Sequence, residues 1–188
     1  MKRIALIALM ILLVGSSMSF AVHKGVIFGA YAKYKSSTEI YITAGSGRCN
    51  GTEWNNDAET TVNLGSVLPT GEDYVYIYVD DSASSYPTPT FIGSTTEPAW
   101  SDSKVGWYNG DDRCIASIWC DSSGNIVQFQ NNSNLEYMTI GTSIKQVLDN
   151  GNPNASWQTL EATAYTPVNA NSVRVVAWNS DTNSVYVG

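Results

Sequence analysis

The stretch GEDYVYIYVDDS, residues 71–82, decides the fold because the character of its side chains alternates strictly. Three tyrosines fall on one side and three aliphatic residues on the other: Tyr74, Tyr76 and Tyr78 against Val75, Ile77 and Val79. Successive side chains of a β-strand point to opposite faces, so the aliphatic row is predicted to face a core. We expect the tyrosine row to form a second packing face covered by the chain's own C-terminal strands. An interface with a neighbouring subunit and a ligand surface are the alternatives.

Short runs of β-branched and aromatic residues, broken by Gly, Asn, Asp, Ser and Pro, make up most of the remaining chain. This texture predicts an all-β fold, an antiparallel β-sandwich of short strands. The predicted strands are 25–34, 39–45, 60–65, 74–80, 90–95, 113–121, 125–130, 135–141, 156–165, 172–179 and 184–188. Only 142–151 carries apolar residues at helical spacing, as one short helix or another strand. We expect a β domain over 22–140 and a small C-terminal β unit over 141–188 packed on it, or forming part of the same sandwich.

Two glycine-containing segments receive different predictions. Asp121-Ser-Ser-Gly124 is expected to turn strand 113–121 into strand 125–130 as a hairpin, with glycine supplying a positive φ. The stretch TAGSGRCNGT, residues 43–52, lacks the Gly-Lys-Ser/Thr of a phosphate-binding loop. We expect it to be a mobile loop between strands.

The N-terminus has the layout of a secretory signal peptide. Lys2 and Arg3 precede a short apolar run, which ends in small residues and Ser19-Phe20-Ala21. The run is too short to span a membrane, so cleavage after Ala21 is expected. The predicted product is secreted, extracellular or at the cell surface, with no membrane insertion after cleavage.

Charge narrows the choice of partner. The chain has a formal net charge of −7, and removing Lys2 and Arg3 makes it −9. Nucleic acids and anionic membranes are bound mainly through Lys and Arg clusters, and the sequence contains none. We therefore expect no nucleic-acid partner. Self-association, as a homo-oligomer or filament, and glycan binding remain open.

The three cysteines allow either one disulfide or buried thiols. On one extended strand, Cys114 and Cys120 would lie roughly 20 Å apart, too far to bridge. A bridge would therefore join Cys49 to Cys114 or to Cys120. Neither a Cys-x-x-Cys spacing nor a nearby histidine predicts a metal site, and no cofactor is predicted.

Few residues in the sequence could act as catalytic groups. The single histidine, His23, lies next to the expected mature N-terminus, where chains are usually frayed. Two pairs of neighbouring carboxylates, Asp80-Asp81 and Asp111-Asp112, could catalyse glycoside hydrolysis. Both pairs fall in polar turns, where aspartate commonly caps its own backbone. We expect no enzyme, with a secreted glycosidase-like protein using these aspartates as the alternative.

Aromatic residues in polar surroundings are the remaining feature. Trp54, Trp100 and Trp107, with the adjacent Tyr108, lie in stretches that read as loops. Exposed aromatic rings can stack on sugar faces while neighbouring polar groups take the hydroxyls. These four residues are the candidate ligand-binding residues, and the alternative is that the rings fold back as lids over the ends of the sandwich.

The order of these segments resembles β modules of bacteriophage tail-fibre and virion-appendage proteins. EIYITAG, DYVYIYVDDS, PTFIGSTTEPAWSD, GWYNGDDRCIASIWCDSSGNIVQF and ASWQTLEATAYTPVNANSVRVVAW carry the likeness. The resemblance implies an antiparallel β domain followed by a second β unit, with no catalytic motif. Virion proteins lack signal peptides, so an exported, host-encoded relative is implied.

From these observations we expect an exported, non-catalytic structural or adhesive β module. It would associate with copies of itself or bind surface glycans. A filament subunit completed by strand exchange with its neighbour is a further alternative.

Overall fold

The computed structural model describes residues 25–82, 87–131, 135–136 and 166–170. In these ranges the chain forms short β-strands and no helix, and thus no helix able to cross a membrane. The strands are β1 Ile27–Gly29, β2 Ala32–Tyr34, β3 Glu39–Ile42, β4 Gly45–Cys49, β5 Thr52–Asn56, β6 Thr60–Asn63, β7 Asp73–Val79, β8 Phe91–Ser94, β9 Ala99–Ser101, β10 Gly106–Asn109, β11 Asp112–Cys120, β12 Gln130–Asn131 and β13 Leu135–Glu136. The predicted all-β class is confirmed.

Two layers make up the sandwich, and every strand pair in them is antiparallel. One layer is a five-stranded sheet in the order β8-β7-β11-β10-β9. The other consists of two three-stranded sheets, β1-β4-β5 and β2-β3-β6. Aliphatic side chains of β7 and β11 pack against those of β3 and β6 and against Trp54 of β5 in one core cluster. The predicted aliphatic row of β7 is fully buried there.

The two three-stranded sheets meet at a bend. The chain turns from β1 into β2 at Gly29 and Ala30, whose φ angles are +68° and +55°. The Ala30 N–H donates to the Ala44 carbonyl at 3.1 Å across the bend. The buried Asn56 amide donates to the Thr43 carbonyl at 3.0 Å. These bonds satisfy backbone groups that the interrupted ladders leave without strand partners.

The expected mobile loop over 43–52 is wrong, because most of it forms β4 and the hairpin to β5. The glycines of β4 allow neighbouring groups to come closer to its backbone than a side chain would permit. A Cβ on Gly45 would lie 2.1 Å from the Ala30 nitrogen, and one on Gly47 would lie 2.8 Å from the Trp54 ring. The hairpin turns through Asn50 and Gly51, both with positive φ, which is the preference of a two-residue β-hairpin loop.

The tyrosine row of β7 builds a second buried cluster on the other face of the five-stranded sheet. Tyr74, Tyr76 and Tyr78 are at most 7 % exposed and pack with Cys114 of β11. The Tyr76 hydroxyl donates to Glu97 and the Tyr78 hydroxyl to the Thr96 carbonyl. Burial raises the pKa of Tyr74 to about 12.

This placement corrects the alternative of a tyrosine interface for a partner. The rings of Tyr74, Tyr76 and Tyr78 are already buried within the single chain, so they offer no exposed row for a second subunit or a ligand.

A β-bulge in β11 determines which of its residues face each of the two clusters. Cys114 lies opposite Tyr78, but Ala116 lies opposite Ile77, so Ile115 is an extra residue in the ladder. Residues two apart in a regular strand share a face. The extra residue instead sends Cys114 to the tyrosine cluster and Ala116 to the aliphatic core.

The predicted turn after β11 is present at Asp121–Gly124, and Gly124 has a φ of +74°. The Asp121 carboxylate accepts the N–H groups of Ser123 and Asn125 at 2.9 and 2.8 Å. The partner segment differs from the prediction. A single bridge, Cys120 to Ile126, replaces the expected strand over 125–130.

Several predictions lie outside the described residues. They concern the signal peptide over 1–21, His23, the strand or helix over 142–151, and the domain boundary at 141. The strands predicted over 156–165, 172–179 and 184–188 lie outside as well.

We predict that Trp54→Ala lowers the free energy of unfolding by about 3–5 kcal/mol, because the ring is fully buried in the aliphatic core. Trp100→Ala is the matched control. Its ring is 51 % exposed, so less than about 1 kcal/mol should be lost. Urea unfolding followed by circular dichroism measures both, and equal losses would contradict this assignment of the two rings.

We expect the hydrogen bonds of Asp121 to make the free energy of unfolding depend on pH in the acidic range. The backbone hydrogen bond from Asn125 is the first of several that hold the pKa of Asp121 below its ordinary 3.8. A carboxyl with a lowered folded-state pKa stabilises the fold fully above its unfolded pKa and loses that effect as pH falls through the folded value. The stability difference between the natural protein and Asp121→Asn should therefore be largest at neutral pH and shrink below about pH 4. Urea titrations across this range test it, and a difference constant with pH would refute it.

Candidate functional site

The four candidate ligand-binding residues separate into two groups. Trp54 is 1 % exposed and meets Phe91 edge-to-face at 6.1 Å in the aliphatic core. Tyr108 is 5 % exposed and belongs to the same cluster. Both were predicted as loop residues, and their selection as ligand contacts is corrected. They lie in β5 and β10, where the ladder turns them inward.

Trp100 and Trp107 stand together at the edge of the five-stranded sheet. They are directly opposite each other in the β9–β10 pair, and their rings meet edge-to-face at 5.7 Å. Trp100 is half exposed, and its indole N–H donates to the Asp102 carboxylate at 2.7 Å. The two rings thus form an apolar corner beside a carboxylate.

A cavity of about 670 Å³ lies beside this corner. Its lining includes Trp100, Trp107, Val105, Arg113, Ile115 and Asn169. Pairing of β10 with β11 is limited to two positions, Tyr108 with Arg113 and Asn109 with Asp112. The preceding β10 residues, including Trp107, pair with β9 alone. The cavity therefore occupies the fork where β10 leaves β11, next to the bulge at Ile115.

Arg113 is the charged group of this wall. The residue is 4 % exposed, and its guanidinium lies 5.9 Å from the centre of the Tyr108 ring. Its terminal nitrogens donate to the backbone carbonyls of Arg48, at 2.8 Å, and Gly25. The Nε–H is buried without an acceptor. No described carboxylate forms an ion pair with Arg113.

The backbone at the rim of the cavity is strained. Val105 has a φ of +53°, which is unusual for a β-branched residue, and its side chain is 43 % exposed. Such outliers cost about 1–3 kcal/mol and cluster at functional sites. Val105 ends the turn between β9 and β10, so this conformation helps to set where β10 begins and how Trp107 is placed in it.

Asn169 brings the C-terminal part of the chain to the same cavity. The Ser117 hydroxyl donates to its side-chain oxygen at 2.7 Å. Its side-chain amide lies 3.6 Å from the Cys114 sulfur. Residues 166–170 therefore contact β11 on the tyrosine side of the sheet.

The aspartate pairs lie at one end of β7 and β11, where they bind the backbone and a lysine. Asp80 accepts the Ser82 N–H at 2.8 Å, and Asp112 accepts the Asp81 N–H at 2.9 Å. Asp111 forms an ion pair with Lys104. No group of three or more metal-ligating side chains occurs in the described ranges. Nothing in that part of the chain indicates an enzymatic activity.

The three cysteines are buried thiols, and none takes part in a disulfide. Cys49 and Cys114 belong to the aliphatic and tyrosine clusters respectively, on opposite faces of the five-stranded sheet. The Cys49 thiol lies near the Val79 carbonyl, whereas Cys120 lies opposite Asp73 at the other end of β7, roughly 20 Å away. The structure thus favours buried thiols over the bridges considered from sequence.

Sequence reasoning missed Arg113 and Asn169. The signal for Arg113 was a single basic residue at the head of the otherwise uncharged run RCIASIWC, residues 113–120. A basic residue leading into a buried strand must find acceptors or a ligand when it is itself buried. No comparable signal marked Asn169.

No family model, curated protein or solved structure matches the chain. The bacteriophage tail-fibre resemblance stays a prediction.

We predict that Cys49, Cys114 and Cys120 resist modification by a maleimide at neutral pH. All three are buried, and burial raises the pKa of Cys114 and Cys120 to about 12, which suppresses the reactive thiolate. Mass spectrometry should find unmodified protein under native conditions and three added groups in denaturant. Rapid labelling of the folded protein, or fewer than three groups after denaturation without reductant, would contradict this.

Proposed function

We propose that this protein is an exported, non-catalytic adhesive module that binds glycans at the corner formed by Trp100 and Trp107. The observation that carries the proposal is the pair of rings set edge-to-face at the sheet edge, one of them half exposed. A sugar ring offers a C–H face to an aromatic ring and hydroxyls to polar groups, so an aromatic corner with nearby carboxylate and amide groups fits it.

The surroundings of the corner match this use. Asp102 holds the Trp100 indole by a hydrogen bond, which fixes the ring before a ligand arrives and reduces the entropy lost on binding. The adjoining cavity of about 670 Å³ falls within the usual range for ligand sites. The remaining candidate aromatic residues are buried, so the corner is the part of the predicted aromatic surface that a ligand could reach.

We expect Trp100→Ala and Trp107→Ala to abolish or strongly weaken glycan binding while the protein stays folded, because each removes one wall of the stacking corner. A glycan array identifies ligands of the natural protein, and isothermal titration with the strongest ligand quantifies both variants.

The control for this experiment is Tyr31→Ala, which removes another exposed ring, 45 % accessible, on the opposite layer. It should bind like the natural protein. A natural protein that binds no glycan, or variants at Trp100 and Trp107 that bind normally, would refute the proposal.

Self-association is a second candidate, favoured by the position of Trp100 on β9, an edge strand of the five-stranded sheet. Edge strands present backbone groups that can pair with another chain. Light scattering after size exclusion should then show a concentration-dependent oligomer that Trp100→Lys disrupts. A monomer at all concentrations would remove this candidate.

A further inference from the structure

Arg113 carries a buried positive charge that the described part of the chain does not neutralise. Arginine is almost never fully buried unless it is paired, because removing a charge from water without a counter-ion is costly. The guanidinium has five N–H donors, and two of them meet carbonyl acceptors of Arg48 and Gly25. The buried Nε–H has none. Backbone carbonyls supply partial charge but no anion.

The position of Arg113 is informative, because this residue lines the cavity beside the tryptophan corner. Three described acidic groups of the neighbouring segments have other partners. Asp112 accepts the Asp81 N–H, and Asp111 pairs with Lys104. Asp102 holds Trp100. No carboxylate of the described residues is thus left to pair with Arg113, and an anionic ligand could supply that partner.

We infer that the glycan bound at this site is acidic, and that its carboxylate enters the cavity to face Arg113 while its ring stacks on Trp100 and Trp107. This inference rests on the proposed glycan-binding function and specifies the sugar as one bearing a carboxylate, such as a hexuronate or a sialic acid. The planar guanidinium matches a carboxylate, and hydrogen bonds between the two charged groups are stronger than neutral ones.

Three features of the fork fit this ligand. The cavity of about 670 Å³ holds one or two sugar rings with room for a carboxylate. Asn169 places a side-chain amide in the same wall, where it can bind a hydroxyl. The strained Val105 at the rim and the bulge at Ile115 are backbone devices that commonly accompany functional sites.

The net charge of the chain indicates which interaction would have to select an acidic sugar. A protein of net charge −7 repels acidic polysaccharides at long range, so the selectivity must come from contact with Arg113. Buried ion pairs are screened by salt far less than exposed ones. Binding of an acidic sugar should therefore persist at high ionic strength.

The test uses matched sugars that differ at one carbon. The purified protein is titrated with methyl glucuronide and methyl glucoside, with the corresponding galactose pair, with N-acetylneuraminate and with acetate, followed by NMR shifts or calorimetry. We expect at least one acidic sugar to bind about tenfold or more tightly than its neutral partner, as the loss of a charged hydrogen bond predicts. Acetate should bind far more weakly.

Variants of Arg113 test whether this residue causes the preference for acidic over neutral sugars. Arg113→Met keeps a long side chain without charge and should equalise the acidic and neutral sugars, and Arg113→Lys should restore part of the preference. Lys33→Met, which removes an exposed charge paired with Glu59 on the other layer, is the matched control and should keep the preference intact. Thermal unfolding of each variant checks folding, and the comparison of sugars on the natural protein needs no variant at all.

The outcomes separate this inference from the proposed function. Equal binding of acidic and neutral sugars that still depends on Trp100 would overturn the inference and leave the glycan-binding function standing. Acetate binding as tight as that of the acidic sugars would also overturn it. An acidic-sugar preference that depends on Arg113 but not on Trp100 or Trp107 would uphold the carboxylate contact and refute the stacking corner. No binding of any sugar would refute both.

Discussion

The pairing of β7 with β11 is the constraint on which the structure depends. These two central strands are buried on both faces, with an aliphatic core on one side and a tyrosine cluster on the other. A shift of one residue in their register would exchange the two faces of either strand and place tyrosine hydroxyls in the aliphatic core. The hydroxyls of Tyr76 and Tyr78 find acceptors at Glu97 and Thr96, so the present register alone satisfies them. Both sides of the sheet therefore specify one alignment.

The bulge at Ile115 connects this constraint to the candidate site. It reconciles the alternating pattern of β7 with the residues of β11, and it follows immediately after Arg113, the last residue of β11 that pairs with β10. The fork that results exposes the wall holding Arg113 and sets Trp107 opposite Trp100 on β9. The site is thus built mainly by a departure from regular strand geometry, which explains why it lies at the sheet edge.

Sequence alone predicted the fold class and the central strand, because the alternation of residues 74–79 has a period that no other structure satisfies. The sequence-based prediction was wrong for residues 43–52, because glycine is common in loops but also occurs in strands where another group comes very close to the backbone. Gly45 and Gly47 look like loop residues, yet they allow close contact with Ala30 and the Trp54 ring, which only the paired strand reveals. It also placed Trp54 and Tyr108 in loops, because polar neighbours hid the inward face of a short strand. Trp100 alone among the four aromatic candidates is largely exposed. The fork, and the finding that no described carboxylate pairs with Arg113, depend on three-dimensional pairing, so no local pattern could have predicted them.

The sharing of β7 and β11 between two hydrophobic clusters also bears on how the molecule opens. Neither cluster can be dismantled without disturbing strands that the other needs, so the two layers form a single cooperative unit. Slow amide exchange should be concentrated in these strands, and their protons should exchange only through global opening. The short strand β9, by contrast, pairs with β10 alone, so we expect it to open locally without unfolding of the whole sheet. Such local opening would let the rim of the cavity adapt to a ligand while the centre of the sheet stays rigid.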